Sequence, residues 1–394
     1  MGVLEGIKVL DLTRVLAGPY CTMILGDMGA EIIKVERPKT GDDSRAFGPF
    51  INEESAYFMS INRNKKSITI NLKKEKGKNI LKELVKDSDI IVENFKPGTM
   101  EKLGLEYEAL KEINPGIIYC AISGFGHTGP YSKRPAYDAV VQAMGGLMSI
   151  TGQEDGRPTR VGSSIGDITA GLYGAIGILG ALQRKNRTGM GEMVDVAMLD
   201  CQVSILENAI ARYTVTGEIP SPKGNRHSSI VPFEPFPTKD GELMVAVGND
   251  KLWAVFCKCI EREDLIDDYR FKTNPDRNKY YDELRPLLCK AMINRKTEEW
   301  QRILDDAGVP NGPINTVDKV LKDDHINQRE MIVSVNHPKA GHVLTPGSPI
   351  KFRNNPNTIR KASPLIGEET IEILKENLNF SQKEIENLIE EGII

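Results

Sequence analysis

The chain has 394 residues, too many for one simple core, so two domains are expected, the larger assembled from distant segments. Hydrophobic content of 40%, charged content of 27% and a net charge of −4 fit an ordinary globular protein and argue against nucleic-acid or anionic-membrane binding. The six cysteines (Cys21, Cys120, Cys201, Cys257, Cys259 and Cys289) make no C-x-x-C pair; with no secretory signal, they read as reduced thiols in a cytoplasmic protein.

In chain order, residues 7–12 predict a short apolar strand. A loop follows, then Pro19 in the first turn of a helix to about Met28, closed by Gly29. A second strand, 31–36, completes a strand–helix–strand unit whose strands run parallel. The pattern repeats with a strand at 67–72 and an amphipathic helix at 73–86, which places Ile80, Leu81, Leu84 and Val85 on one face. A strand at 89–95, a helix carrying Leu110 and Ile113, and a strand at 117–123 follow. This alternation predicts an α/β fold with a Rossmann-like parallel sheet covered on both faces. Ligands of such sheets bind beyond the carboxyl ends of the strands, here residues 14–16, Arg37, 94–96 and 124–126.

Residues 162–171 (GSSIGDITAG) are small and nearly uncharged, and hold one carboxylate, Asp167. They run into an apolar segment, 172–182, expected to be a helix to about Arg184, too short and glycine-rich to span a membrane. A strand at 192–197 and a long helix at 199–213 come next. Residues 217–237, with five prolines (220, 222, 232, 235 and 237), read as a linker without regular structure. A hairpin at 239–241 leads to a strand at 242–247, then to two or three helices containing Trp253, Leu287 and Trp300. The chain is strand-like from Met331 and helical from Ile366. The expected division is 1–200 as the N-terminal part of the large domain, 201–224 as a linker, 225–325 as a small α/β domain, and 326–394 as a return to the large domain.

Five constellations bear on chemistry. Residues 124–129 match G-x-G-x-x-G after a strand, but Pro130 and Pro135 leave no room for the helix a dinucleotide site needs. Residues 162–166 match the G-x-S-x-G elbow of serine hydrolases around Ser164. No later histidine (His227, His325, His337 or His342) is marked out as its partner. Asp167 suits a helix N-cap, and a carboxylate at a helix start also stays ionised and available as a nucleophile. No histidine pair has the helical spacing of metal ligands, so no metal is expected. Arg14, Arg37, Lys96 and Lys102, at strand ends near glycines, favour a polyanionic ligand.

Taken together, these segments resemble the family III CoA-transferases, the group that includes formyl-CoA transferase and the carnitine and bile-acid CoA-transferases. The resemblance covers essentially the whole chain. It rests on LEGIKVLDLT (4–13), AGP (17–19), GAEIIKVERP (29–38), VENFKPG (92–98), SGFG (123–126), GDITAG (166–171), TGMGE (188–192), HP (337–338) and PIKF (349–352). It implies that Asp167 attacks an acyl-CoA thioester and forms first a mixed anhydride and then an aspartyl-CoA thioester. Coenzyme A and acyl-CoA are then substrates, and no cofactor is tightly bound. Backbone N–H groups of glycine loops, including Gly248, would form the oxyanion hole.

For CoA, the resemblance implies contacts at Leu16, Ala17, Arg37, Ile70, Asn71, Leu72, Lys73, Asn94, Phe95, Lys96, Lys102, Tyr137 and Asp138. Lys102 stands where formyl-CoA transferase has arginine, which keeps the charge and loses the two-pronged fork. Leu16 replaces a glutamine near the acyl group and points to acids other than oxalate and formate. The related α-methylacyl-CoA racemases use a histidine–aspartate pair where this chain has Tyr137-Asp138, which ranks racemase below transferase; a serine thioesterase ranks lower still. The resemblance also implies a homodimer of two interlocked rings.

Overall fold

The first strands are apolar at successive positions, the mark of strands buried on both faces. The computed structural model of the protein, which describes residues 2–394, sets six of them side by side. They are β1 (Lys8–Asp11) and β2 (Glu31–Glu36), then, after a two-residue hairpin of β3 (Phe50–Ile51) and β4 (Glu54–Ser55), β5 (Lys65–Thr69), β6 (Ile90–Glu93), β7 (Ile118–Ser123) and β8 (Met193–Ala197). Their order is β5-β2-β1-β6-β7-β8, and every neighbouring pair is parallel.

The connecting helices are α1 (Ala17–Asp27), α2 (Ala56–Ile61), α3 (Glu75–Lys86), α4 (Thr99–Leu103), α5 (Tyr107–Ile113), α6 (Asp138–Met144), α7 (Leu147–Ile150), α8 (Ile165–Thr188), α9 (Met198–Ser204) and α10 (Asn208–Thr216). Alternate strand residues feed two cores. Leu10, Ile33, Ile68, Ile91 and Tyr119 pack with α3, α5 and the C-terminal helices Thr370–Glu376 and Gln382–Glu390. Val9, Ile32, Ile90, Ile118 and Cys120 pack with α1, α8 and α9. Each buried Leu or Ile contributes about 1.5–3 kcal/mol.

The chain divides into two compact units. One comprises the residues up to Met148, Arg160–Gly217 and Asp324–Ile394; the other comprises Ser149–Thr159 and Glu218–Asp323. The second unit has its own core around Trp253, Phe256, Leu288 and Trp300. Its three-stranded antiparallel sheet runs β11-β10-β9, from β9 (Phe233–Pro237), β10 (Glu242–Ala246) and β11 (Asn311–Pro313).

Several elements differ from the sequence expectation, each for a local reason. Residues 233–237 form a strand despite Pro235 and Pro237, because β9 is an edge strand, where proline is tolerated. The expected helix over 199–213 is two helices, broken before α10 by Glu207 at φ +54°. The helix after the glycine-rich stretch starts at Ile165, so Asp167 lies inside its first turn and Ser164 holds the cap position. That helix, α8, runs unbroken to Thr188, which makes it long and apolar enough to cross a membrane by length and composition; half of its apolar window is buried in the fold. Its seam is glycine. A Cβ on Gly171 would stand 2.7 Å from the Ala17 carbonyl of α1, and one on Gly174 would stand 2.8 Å from Ile122 of β7. Only glycine admits that approach.

Candidate active site

The β1–α1 loop is shaped by charges buried beneath it. Strand register sets Asp11 of β1 beside Lys34 of β2. Lys34 Nζ lies 2.9 Å from an Asp42 carboxylate oxygen and donates to the Thr13 carbonyl at 2.8 Å. Lys65, also fully buried, donates to Asp11 at 2.9 Å and to the Pro19 carbonyl at 3.0 Å. Asp42 Oδ1 accepts from the N–H groups of Val15 and Ser44. Burial alone would raise the Asp42 pKa, but the Lys34 charge and these donors draw it down to about 2. Burial pushes Lys65 down to about 8, against the pull of Asp11. The network holds Val15 at φ +67°, which a β-branched residue rarely adopts, and so aims Leu16 and Ala17 into the start of α1.

The second corner lies where α6 meets α8. Asp167 is partly buried at the start of α8. Burial, and then the charge of Asp138, push its pKa up to about 7. Asp138 opens α6 and is buried; one of its oxygens accepts from Gly166 N at 2.8 Å and the other from Gln142 Nε2 at 2.7 Å. Gly166 must be glycine here, because a Cβ would meet Val141 at 2.8 Å and Asp138 at 3.0 Å. Tyr57 of α2 faces the same corner. Its phenol is raised to about 12 by burial, then by the charges of Asp167, Asp42 and Asp138. Nothing in the sequence flags Tyr57 or Gln142, because their partners lie far along the chain.

The other expected residues fall at the sheet's carboxyl edge or elsewhere. Asn94 brackets Arg14, accepting from its N–H and donating to its carbonyl, and the Arg14 guanidinium lies over the Phe95 ring at 5.4 Å. Arg37 and Arg14 both pair with Asp43. Lys73, Lys96, Lys102 and Tyr137 are exposed, and Leu72 is partly buried. Asn71 donates its backbone N–H to Ile393 O at 2.7 Å and its side-chain amide to Gly392 O. Two of these side chains are committed inward: Ile70 lies in the core, and the Asp138 carboxylate accepts from Gly166 and Gln142. Gly248 belongs to the second unit, between β10 and the helix Asp250–Cys259, with open space at its α-carbon.

The two rival motifs resolve physically. No helix opens within residues 124–135; instead His127 of that loop sits 3.8 Å from the buried Glu93. Burial pushes Glu93 up to about 7. Ser164 caps α8 through its backbone, without a side-chain cap bond. Among the described residues, no group of three or more His, Cys, Asp or Glu residues is arranged to hold a metal.

A family model described as CoA-transferase family III matches residues 4–370. The chain belongs to CoA-transferase family III. It is 43% identical to the succinyl-CoA:glutarate CoA-transferase of Mus musculus, over 100% of this chain and 91% of that one. It is 40% identical to the acetyl-CoA:oxalate CoA-transferase of Acetobacter aceti, over 95% and 96% of the two chains. Among solved structures, a CAIB/BAIF family protein from Brucella suis superposes with a TM-score of 0.84 at 38% identity, over 95% of this chain and 99% of that one. The fold built on the six-stranded parallel sheet is therefore shared with that protein.

Proposed function

We propose that the protein moves CoA from an acyl-CoA thioester to a free carboxylic acid, with Asp167 as the covalent nucleophile. The observation that carries this reading is the placement of Asp167: a half-buried carboxylate at a glycine-flanked helix start, raised to about 7 by burial and Asp138. A carboxylate of raised pKa is a better nucleophile once ionised. Its ionised form attacks the thioester carbonyl, and CoA thiolate leaves a mixed anhydride on Asp167. The thiolate then attacks the aspartyl carbonyl, which gives an aspartyl-CoA thioester and releases the donor acid as its carboxylate. The acceptor carboxylate attacks that thioester, thiolate leaves again, and its return to the acceptor's acyl carbon frees Asp167. Every bond broken is replaced, and no proton is consumed.

We place the exchanged acids among short dicarboxylates. Relatives are named for succinyl-CoA with glutarate and with mesaconate. Arg160 is the nearest cation in sequence before Asp167; its guanidinium donates to the Val161 and Gly162 carbonyls at 3.3 Å and is otherwise exposed, suited to a distal carboxylate. For CoA itself, Arg14, Arg37, Lys73, Lys96 and Lys102 supply positive charge at the sheet edge. Incubation with succinyl-CoA and hydroxylamine should inactivate the enzyme and leave a hydroxamate on Asp167, visible by peptide mass spectrometry. Full exchange activity in Asp167→Asn, with loss in Ser164→Ala, would reverse the assignment in favour of a hydrolase. Deuterium wash-in at the α-carbon without acyl exchange would favour a racemase.

The working form is assigned as a homodimer in a reducing, cytoplasmic compartment. Supporting this, Leu172, Ile176, Val203, Ile210 and Tyr213 leave an apolar face uncovered on α8, α9 and α10, and the six thiols are unpaired. Light scattering should give twice the 43.7 kDa chain mass, and a monomer at micromolar concentration counts against it.

A further inference from the structure

We infer that Gln142 is a positioning residue of the exchange reaction: from within α6, its amide fixes both ends of the loop that delivers the nucleophile. This rests on the reading of Asp167 as that nucleophile. Gln142 is fully buried. Its Oε1 accepts from Val161 N at 2.9 Å, and its Nε2 donates to Asp138 at 2.7 Å. Asp138 in turn accepts from Gly166 N at 2.8 Å. A chain of three hydrogen bonds thus ties Val161 to Gly166 through two side chains of one helix turn. The amide's orientation is forced, because a backbone N–H can only donate and must meet the oxygen, leaving the NH₂ for the carboxylate.

Between the tied ends, the loop's other hydrogen bonds are local, from Arg160 to the Val161 and Gly162 carbonyls and from Ile165 N to Ser163 O, and none of these reaches α6. Gly162 and Ser163 are exposed, and a Cβ on Gly162 would meet nothing. Asp138 alone reaches only the Gly166 end, and the terminal torsion of a carboxylate is broad. Gln142, one turn later on the same face, removes that freedom. Loss of the amide would orphan a backbone donor and leave Asp138 with a single bond, and a displacement of about 1 Å at a reacting atom is enough to cost about 100-fold in rate. The titratable groups facing this corner are Asp138 of α6, Asp167 of α8, Tyr57 of α2, and Asp42, which Lys34 holds ionised.

The test pairs two variants of the full-length enzyme. Gln142→Leu should lower kcat about 100-fold at every pH while the KM for succinyl-CoA stays within about threefold. Hydrogen–deuterium exchange at the Val161 and Gly166 amides should accelerate. Gln142→Glu is isosteric. As a neutral acid it donates to Asp138 and still accepts from Val161, and once ionised it repels Asp138. Its activity relative to the parent should therefore be near one at pH 5.5 and fall steeply by pH 8. A Gln142→Glu profile that tracks the parent at every pH overturns the proposal, as does a Gln142→Leu enzyme within twofold of parental kcat. If Gln142→Leu shows no cooperative melt, the pH dependence of Gln142→Glu decides. Unchanged amide exchange in Gln142→Leu refutes the positioning role, whereas intact exchange activity in Asp167→Asn refutes the nucleophile reading, so the two failures are told apart.

Discussion

Asp42 and Asp167 are the same side chain in opposite circumstances. Asp42 meets Lys34 and two backbone donors, falls to about 2, and serves as a strut under the β1–α1 loop. Asp167 is raised to about 7 by burial and by another carboxylate, Asp138. A buried carboxylate with a cation holds shape; one left beside a like charge is available for chemistry. The two corners frame one edge of the sheet, the first held through oppositely charged pairs and the second through the Asp138 carboxylate, the Gln142 amide and glycine.

The largest effect expected of this contrast is on turnover. Asp167→Asn should lower steady-state exchange by about 10⁶-fold, as loss of a covalent nucleophile does. Next comes Lys34→Met, which leaves Asp42 and Asp11 short of a cation. Removing one partner of a buried pair should cost about 3–5 kcal/mol in urea unfolding. Gly166→Ala should reduce kcat about 100-fold while leaving the KM for acyl-CoA near its parental value, because the new Cβ presses on Val141 and Asp138.

Smaller effects appear in pH profiles. In the parent, kcat/KM should rise with pH through about 7 as Asp167 ionises. Asp138→Asn should move that midpoint down only part of the way, since burial is the larger cause and remains. Stability carries the opposite sign. Between the ordinary aspartate value of 3.8 and about 7, the folded chain holds a proton that the unfolded chain has lost. Asp167 therefore erodes stability as pH rises through that window. Asp167→Asn should melt at a higher temperature than the parent at pH 8, and the gap should close toward pH 4. An Asp167→Asn enzyme that melts below the parent at pH 8, with the deficit vanishing on acidification, would place Asp167 with Asp42, as a paired strut.

Much of the sheet was legible because parallel strands announce themselves as short apolar runs between helical periods. Strand 31–36 was readable to the residue, and Asp167 stood out as one carboxylate among glycines. Where the reading slipped, a distant partner decided the matter. The strand expected at 67–72 runs instead over Lys65–Thr69, because the Lys65 ammonium reaches Asp11 and Pro19 and is buried with the sheet. Pro235 and Pro237 looked like a linker because edge position is a property of the assembled sheet. Gln142 and the inward turn of Asp138 were illegible for the same reason, since a hydrogen bond between α6 and the 161–166 loop leaves no mark on local composition; nor does the approach of Tyr57, on α2, to Asp167.

The glycine seam of α8 has a mechanical meaning. Where helices meet through side chains, rotamers absorb small displacements and the contact behaves as a cushion. Here the Gly171 backbone closes on the Ala17 carbonyl, beside the Tyr20 side chain, and the carbonyl has no rotamer with which to yield. Asp167 is thus bolted to the frame of the sheet, one turn from that joint. Loops around it are free to diversify toward new acids while the reacting atom keeps its place.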